Sequence, residues 1–166
     1  MSARLLVAGV GNIFFSDDGF GSEVARVLAD DRIDDVKTED FGIAGLHLAY
    51  ELLNGYEHAI IVDLAVRGGA PGTLYVIEPD ARAPGPPPDA HRMELQNVFA
   101  FVRTLGGEAP PLEIVGCEPQ TVDEGIGLSE PVAAAIEPAV ALVRKLIVRA
   151  LSAPRRREGE STCLEA

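Results

Sequence analysis

The chain has 166 residues, the length of one ordinary domain, and such a domain buries enough apolar surface to fold without a disulfide or a structural metal. Its 26 acidic and 14 basic residues give a formal net charge of −12, which opposes binding to a phosphate backbone. Two cysteines without zinc spacing, and no apolar stretch long enough to span a bilayer, indicate a cytoplasmic protein with no membrane partner. We expect one domain over 1–151, a disordered tail over 152–166, and no nucleic-acid partner.

Apolar runs bounded by glycine, proline or polar residues predict five strands. They cover Arg4 to Gly9, Val36 to Phe41, His58 to Leu64, Thr73 to Ile77 and Leu112 to Cys117. Apolar residues at helical spacing predict helices over Gly19 to Leu28, Leu46 to Leu53, Glu94 to Leu105 and Ser129 to Leu151. Pro138 should kink or divide the last of these helices.

The alternation of strands and helices predicts a three-layer α/β/α sandwich with a five-stranded, mostly parallel sheet. The link before Thr73 to Ile77 is too short for a parallel crossover, so this strand should be antiparallel and lie at an edge. Residues 79–90 are rich in proline and should form a loop that crosses to the carboxyl edge of the sheet.

Three side chains should meet at that carboxyl edge, where open α/β sheets bind their ligands. Asp18 follows the first strand, Asp63 ends the third strand, and His91 follows the proline-rich loop. Two carboxylates and one imidazole suit a divalent ion such as nickel or zinc and leave coordination positions open. The sequence therefore offers a candidate metal site.

Ordinary structural roles compete with this interpretation at every position. Asp17 or Asp18 could cap the following helix, and Asp17 is expected to do only that, a role that Asn also fills. Asp63 could cap the turn beyond its strand, and His91 could simply be exposed. Position by position these alternatives stay open, and the joint placement of the three residues favours the site.

Other chemistries have less support in the sequence. Gly9 and Gly11 imitate a dinucleotide-binding loop, but Phe14 stands at the third glycine position. Neither a GxSxG nor an HExxH motif occurs. Four further side chains are not expected to act as nucleophiles or ligands: Ser16, His47, His58 and Cys117, the last a buried reduced thiol.

Residues 4–150 carry several ordered motifs. These are GVGNIFFSDDGFG at 9–21, FGIAG at 41–45, IIVDL ending one residue after Asp63, PGTLYVI at 71–77, GCEPQ at 116–120 and IGLS at 126–129. With these motifs the chain resembles the hydrogenase maturation endopeptidases, which process the large subunit of nickel-iron hydrogenases. The resemblance implies that Asp18, Asp63 and His91 contact the metal. Many members carry Glu at the first of these positions, and many follow the histidine with Gln, where this chain has Arg92.

The resemblance also implies a reaction and a partner. The reaction is removal of a C-terminal extension from the hydrogenase large-subunit precursor after nickel insertion, with the nickel carried by the substrate and zinc or another divalent ion as possible substitutes. Gly42 and Gly45 are expected to give the neighbouring loop its backbone freedom. A monomer is expected. A chaperone that holds nickel or the precursor without cleaving it would need the same ligands, and the sequence leaves that alternative open.

Overall fold

The structure is a computed structural model that describes residues 3–80 and 94–155. The strands are β1 Leu5–Val10, β2 Val36–Gly42, β3 His58–Leu64, β4 Leu74–Ile77 and β5 Leu112–Cys117. The α-helices are α1 Phe20–Ala29, α2 Gly45–Leu52, α3 Leu95–Thr104, α4 Glu130–Ala134 and α5 Ile136–Ser152, and a 3-10 helix covers Ser16–Gly19. Most boundaries lie within one residue of those predicted.

The five strands form one sheet in the order β2-β1-β3-β5-β4. The first four strands in this order are parallel, and β4 pairs with β5 in the antiparallel direction at the edge. The predicted sheet is thereby confirmed. Because the chain moves from β1 outward to β2 and then to β3 on the other side of β1, the topological switch point lies between β1 and β3.

Helices cover both faces of the sheet, and each face has its own core. On one face, Phe20 of α1 and Val143 of α5 pack with strand residues such as Ile60. On the other face, Leu48 of α2 and Phe99 of α3 pack over the alternate strand positions. Successive strand residues point to opposite faces, so both sides of the central strands are apolar and buried.

Two glycines allow α1 to lie directly on the sheet. A Cβ atom on Gly21 would come within 2.2 Å of the Val62 carbonyl oxygen and 2.3 Å of the Val10 carbonyl oxygen. A Cβ atom on Gly9 would come within 2.3 Å of the Gly21 carbonyl oxygen. This contact places the start of α1, and the residues just before it, over the switch point.

The long C-terminal helix is divided, as expected, but at Ala135 rather than at Pro138. Ala135 ends α4 and caps α5, and the Ala139 N–H donates to its carbonyl oxygen at 2.9 Å. Pro138 falls in the first turn of α5. It has no N–H to donate to Ala134, and its ring would clash with that carbonyl in a continuous helix. The break therefore lies before the proline.

The structure describes only part of the expected C-terminal tail and of the proline-rich loop. Helix α5 ends at Ser152, and the expected tail lies outside the described residues from position 156 onward. The predicted loop over 79–90 is described only up to Asp80. Across residues 3–80 and 94–155, no helix has both the length and the apolar character needed to cross a bilayer.

Candidate active site

Asp18 lies in the 3-10 helix that connects β1 to α1, at the carboxyl edge of the sheet. Its Oδ2 accepts a hydrogen bond from the Asn12 N–H at 2.9 Å, so the side chain turns back towards the end of β1. Gly11 makes this turn possible. Its φ is +134°, and a Cβ atom there would lie 1.9 Å from the Asp18 carbonyl oxygen. Asp18 therefore holds the loop after β1 and does not cap α1, whose N-terminus has no side-chain cap.

Asp63 is the penultimate residue of β3 and faces the same switch point. Its Oδ1 accepts a hydrogen bond from the Leu64 N–H at 2.7 Å. Burial of the carboxyl group, together with the negative charge of Asp18, raises the pKa of Asp63 to about 7, although the bond from Leu64 acts in the opposite direction. The structure therefore brings the two predicted carboxylates together, close enough for the charge of one to disfavour ionisation of the other.

The third predicted ligand, His91, lies outside the described residues, as does Arg92. Within residues 3–80 and 94–155, no group of three His, Cys, Asp or Glu side chains could hold a metal ion. Asp18 and Asp63 are thus a pair of oxygen donors that the described part of the chain does not complete.

Asp17 does not cap the following helix, so the prediction that it would is wrong. Its side chain is fully buried, and its carboxylate accepts four hydrogen bonds from the loop after β5. The Gln120 and Thr121 N–H groups donate to Oδ2 at 2.8 and 2.9 Å. Ser129 donates its N–H to Oδ1 at 2.7 Å and its hydroxyl to Oδ2 at 2.9 Å.

These bonds keep Asp17 ionised inside the protein. Burial by itself would raise its pKa, but the backbone N–H groups of Thr121, Ser129 and Gln120 and the Ser129 hydroxyl outweigh burial and lower it. Sequence reasoning missed this role because three of the four donors are backbone N–H groups and the fourth is a hydroxyl, all of them more than a hundred residues away and without a distinctive motif.

The loops after β1 and β5 are tied together along their backbones as well. The Ser16 N–H donates to the Gly125 carbonyl oxygen, and the Gly125 N–H donates to the Phe14 carbonyl oxygen, both at 2.8 Å. The Ser16 hydroxyl donates to the Asp123 carbonyl oxygen at 2.8 Å. Ser16 is therefore a structural contact, and the two loops form one unit beside Asp18.

Glu118, the residue after β5, holds the loop after β3. Its carboxylate accepts hydrogen bonds from the Arg67 N–H at 2.8 Å and from the Tyr75 hydroxyl at 2.9 Å. The bond from Arg67 is the largest influence on this carboxyl group, and the pKa of Glu118 is lowered despite its burial. The sequence motif GCEPQ contained this residue, but nothing in the motif indicated its partners.

The loop after β2 completes the same edge. Gly42 has a φ of +52°, which suits glycine, and its carbonyl oxygen accepts a hydrogen bond from the Gly11 N–H at 3.0 Å. Asp40 Oδ1 accepts bonds from the Ser22 hydroxyl at 2.7 Å and the Gly42 N–H at 2.9 Å, which joins this loop to α1. The expected backbone freedom is thus used at Gly42, whereas Gly45 begins α2.

The remaining candidates are structural, as expected. Cys117 is buried, and burial, followed by the charges of Asp17 and Glu118, raises the pKa of its thiol to about 11, so that it is no nucleophile at neutral pH. His58 Nε2 lies 3.2 Å from Glu113 Oε2 at the opposite edge of the sheet. The His47 ring packs edge-on against the ring of Phe41.

A cavity of about 910 Å³ lies at the amino edge, away from these carboxylates. It is lined by residues around the ends of α2 and α3, including Leu53, Tyr56 and Arg103. It also borders Asp80, the last described residue before the gap at 81–93. The candidate chemistry belongs to the carboxyl edge because both Asp18 and Asp63 are there.

Known proteins resemble this chain in sequence. A family model described as hydrogenase maturation protease matches residues 23–146. The chain is 34% identical over 143 residues to the hydrogenase 2 maturation protease of Escherichia coli (strain K12), covering 82% of this chain and 86% of that protein.

Solved structures give the same result. The hydrogenase maturating endopeptidase HybD of Escherichia coli superposes with a TM-score of 0.72 at 32% identity, covering 88% of this chain and 93% of that one. The hydrogenase 2 maturation peptidase of a Thaumarchaeota archaeon superposes with a TM-score of 0.68 at 31% identity, covering 87% of this chain and 98% of that one.

Proposed function

The chain belongs to the hydrogenase maturation protease family, and from this membership we propose how the carboxylates of Asp18 and Asp63 serve the cleavage of a hydrogenase precursor. It is an endopeptidase that processes the large subunit of a hydrogenase. We propose that the bond cleaved lies near the C-terminus of a nickel-iron hydrogenase precursor and that cleavage follows nickel insertion. The nickel is then part of the substrate.

The observation that carries this proposal is the pairing of Asp18 with Asp63 at the switch point. Burial raises the pKa of Asp63 to about 7, and the negative charge of Asp18 adds to that rise, so ionisation of both carboxyl groups is unfavourable in the free protein. A divalent cation brought between them would favour ionisation of both. The free protein thus presents an acidic site whose charge is balanced when a metal-bearing substrate arrives.

The chemistry of the donors fits such a metal. Carboxylate oxygens and imidazole nitrogens both bind divalent first-row ions. The described residues offer two oxygen donors, so a bound ion needs further ligands from elsewhere. We propose His91 for one of them and cysteine thiolates of the precursor for the rest; zinc or another divalent ion could replace nickel.

Asp18 and Asp63 would then hold the metal end of the precursor and place the adjacent peptide bond at the carboxyl edge of the sheet. Hydrolysis adds one water across that bond, which releases a carboxylate and an amine. Asp18 is fixed by the Asn12 N–H and Asp63 by the Leu64 N–H. Within the described part of the chain, each carboxylate therefore has one oxygen held by the protein and its other oxygen left for the substrate.

The test is mass spectrometry of the purified large-subunit precursor after incubation with this protein, with nickel inserted and without. We expect loss of a short C-terminal peptide from the nickel-loaded precursor only. An intact precursor in both samples, with a stable complex formed, would replace the endopeptidase by a holding chaperone. Cleavage of both precursors would remove nickel from recognition.

The same assay tests the residues. Asp18→Asn, Asp63→Asn and His91→Ala should each abolish cleavage, and Asp18→Glu should retain part of it because the carboxylate is kept. Glu23→Gln is the matched control, since Glu23 pairs with Arg26 on the exposed face of α1. Cleavage by His91→Ala at the rate of this control would exclude His91 from the site.

A further inference from the structure

Large apolar side chains are exposed in the four loops that surround the two carboxylates. These loops follow β1, β2, β3 and β5, and all four lie at the carboxyl edge because these strands are parallel. Six side chains there, which we call the apolar rim, are at least 46% exposed: Ile13, Phe14, Ile43, Val66, Val122 and Ile126. Such gathering of exposed apolar residues at one site marks an interaction surface, whereas scattered single residues do not.

The loops that carry the apolar rim are held in place by hydrogen bonds. The Phe14 N–H donates to Asn12 Oδ1 at 3.0 Å, and the Phe14 carbonyl oxygen accepts from the Gly125 N–H at 2.8 Å. The Glu118 carboxylate holds the loop of Val66 through the N–H groups that follow it. These side chains are therefore exposed on a fixed backbone, and a partner that covers them has little loop ordering to offset.

The charges around the apolar rim restrict the chemistry of that partner. Asp40, Asp123 and Glu124 are exposed in or beside these loops, in addition to the two site carboxylates. The four loops contain one cationic side chain, that of Arg67, and several acidic side chains. An anionic lipid surface or a nucleic acid would be repelled here, as it would by the net charge of −12. A polypeptide surface with apolar side chains and a basic border is complementary.

We propose that the apolar rim is the surface on which the precursor docks, through an apolar patch of the precursor that is bordered by basic side chains and lies beside the cleaved bond. This inference rests on the proposed function, since it assigns the partner of the same site. The ends of β2, β1, β3 and β5 span three strand spacings, or about 14 Å. A patch of that width contacts several loops at once, which fixes the orientation of the precursor relative to Asp18 and Asp63.

The test compares two sets of substitutions of the same type. Val66→Ser and Ile126→Ser, combined in one protein, remove the two most exposed members of the rim, at 80% and 81%. Val148→Ser is the matched control, because Val148 is 66% exposed on α5, away from the site. All three positions are exposed, so thermal unfolding should show three folded proteins of nearly equal stability.

We expect the double variant to need at least about tenfold more precursor for half-maximal cleavage, with a smaller change in the rate at saturation. Val148→Ser should match the unaltered chain. Raising the sodium chloride concentration should weaken binding of the precursor, because the basic border is screened. A double variant that equals Val148→Ser overturns the inference while leaving the proposed function intact.

Binding separates the two proposals if cleavage is not seen. The precursor is then titrated onto the unaltered chain and onto the double variant by surface plasmon resonance. Weaker binding of the double variant supports the docking surface even though the endopeptidase proposal has failed. Equal binding of the precursor by both proteins overturns the proposed docking surface.

Discussion

Asp63 carries a cost that the fold does not require. The four residues before it in β3 are apolar and buried, and within the described structure the Asp63 carboxylate accepts one hydrogen bond, from the Leu64 N–H, to offset its partial burial beside Asp18. A carboxyl group whose pKa is raised in this way destabilises the folded state once it ionises. Such cost is typical of residues kept for function.

We predict that Asp63→Asn stabilises the protein at mildly alkaline pH while abolishing cleavage. The folded pKa of about 7 lies above the usual value of 3.8, so the folded chain binds more protons than the unfolded chain between these two pH values. The stability contributed by protonated Asp63 is complete below the unfolded pKa and is lost as the pH rises through the folded pKa. The gain on substitution should therefore be small near pH 4 and reach at most about 4 kcal/mol above pH 7.

Urea unfolding of both proteins, at pH values from about 4 to 8 and without added metal, measures this difference. Glu23→Gln is again the control and should leave the pH dependence unchanged. A lower free energy of unfolding for Asp63→Asn at pH 8 would mean that Asp63 stabilises the fold, contrary to this account.

The sequence could place Asp18 and Asp63 at one edge of the sheet because the first follows a strand and the second stands at the end of one, and strand order is a property of local pattern and chain topology. It could not predict Asp17 in the same way. The donors to Asp17 lie 103 to 112 residues further along the chain, and two of the residues that supply them, Gln120 and Thr121, do so through backbone N–H groups that every residue type but proline has. The placement of His91 stays a prediction.

At the scale of the elements, the loops after β1 and β5 depend on one buried carboxylate. Three of the bonds to Asp17 come from backbone N–H groups of the loop after β5 and one from the Ser129 hydroxyl. An asparagine can accept at one oxygen only, and its amide NH₂ would face at least one of these donors. The expectation drawn from sequence, that Asn replaces Asp17 adequately, therefore needs revision.

We predict that Asp17→Asn lowers the free energy of unfolding by about 1–3 kcal/mol, the usual cost of a buried donor left without an acceptor. Amide hydrogen exchange should accelerate at Gln120, Thr121 and Ser129, and cleavage should slow because the loop beside Asp18 is loosened. Asp123→Asn is the control in the same loop, since Asp123 is exposed and its carboxylate accepts a hydrogen bond from the nearby Thr121 hydroxyl. Unchanged exchange at Ser129 in Asp17→Asn would show that the anchoring lies elsewhere.

Element boundaries followed from sequence wherever the signal is local. Strands β3 and β5 match their predicted bounds, because apolar runs with defined ends specify them. The 3-10 helix over Ser16–Gly19 was not predicted, since it depends on contacts with the loop after β5 rather than on local propensity. The division before Pro138 followed from proline chemistry, which acts on the residues that precede it.

Across the whole molecule, the two edges of the sheet have different tasks. The carboxyl edge holds Asp18 and Asp63 with no facing cation among the described residues, whereas at the amino edge the buried carboxylate of Glu113 pairs with Arg149 and lies within hydrogen-bond distance of His58. Burial by itself would raise the pKa of Glu113, but these two partners outweigh burial and lower it. The amino edge thus stabilises the fold, and the carboxyl edge is the one to which we assign the substrate.

We predict that Glu113→Gln destabilises the protein without changing cleavage. Loss of the charge that pairs with Arg149 and His58 should lower the free energy of unfolding by about 1–3 kcal/mol at neutral pH. Because the folded pKa of Glu113 is lowered, its contribution is present above the unfolded pKa near 4.5 and is lost as the pH falls through the folded value. The difference between the two proteins should therefore shrink in acid, the opposite trend to Asp63→Asn.

Thermal and urea unfolding give the stability, and the precursor assay, run well below the unfolding temperature, gives the cleavage rate. Arg144→Gln is the control, because its ion pair with Asp31 is on the surface and such pairs contribute at most about 1 kcal/mol. A slower cleavage by folded Glu113→Gln would mean that the amino edge communicates with Asp18 and Asp63 through the sheet. In that case stability and catalysis could not be assigned to separate edges of this fold.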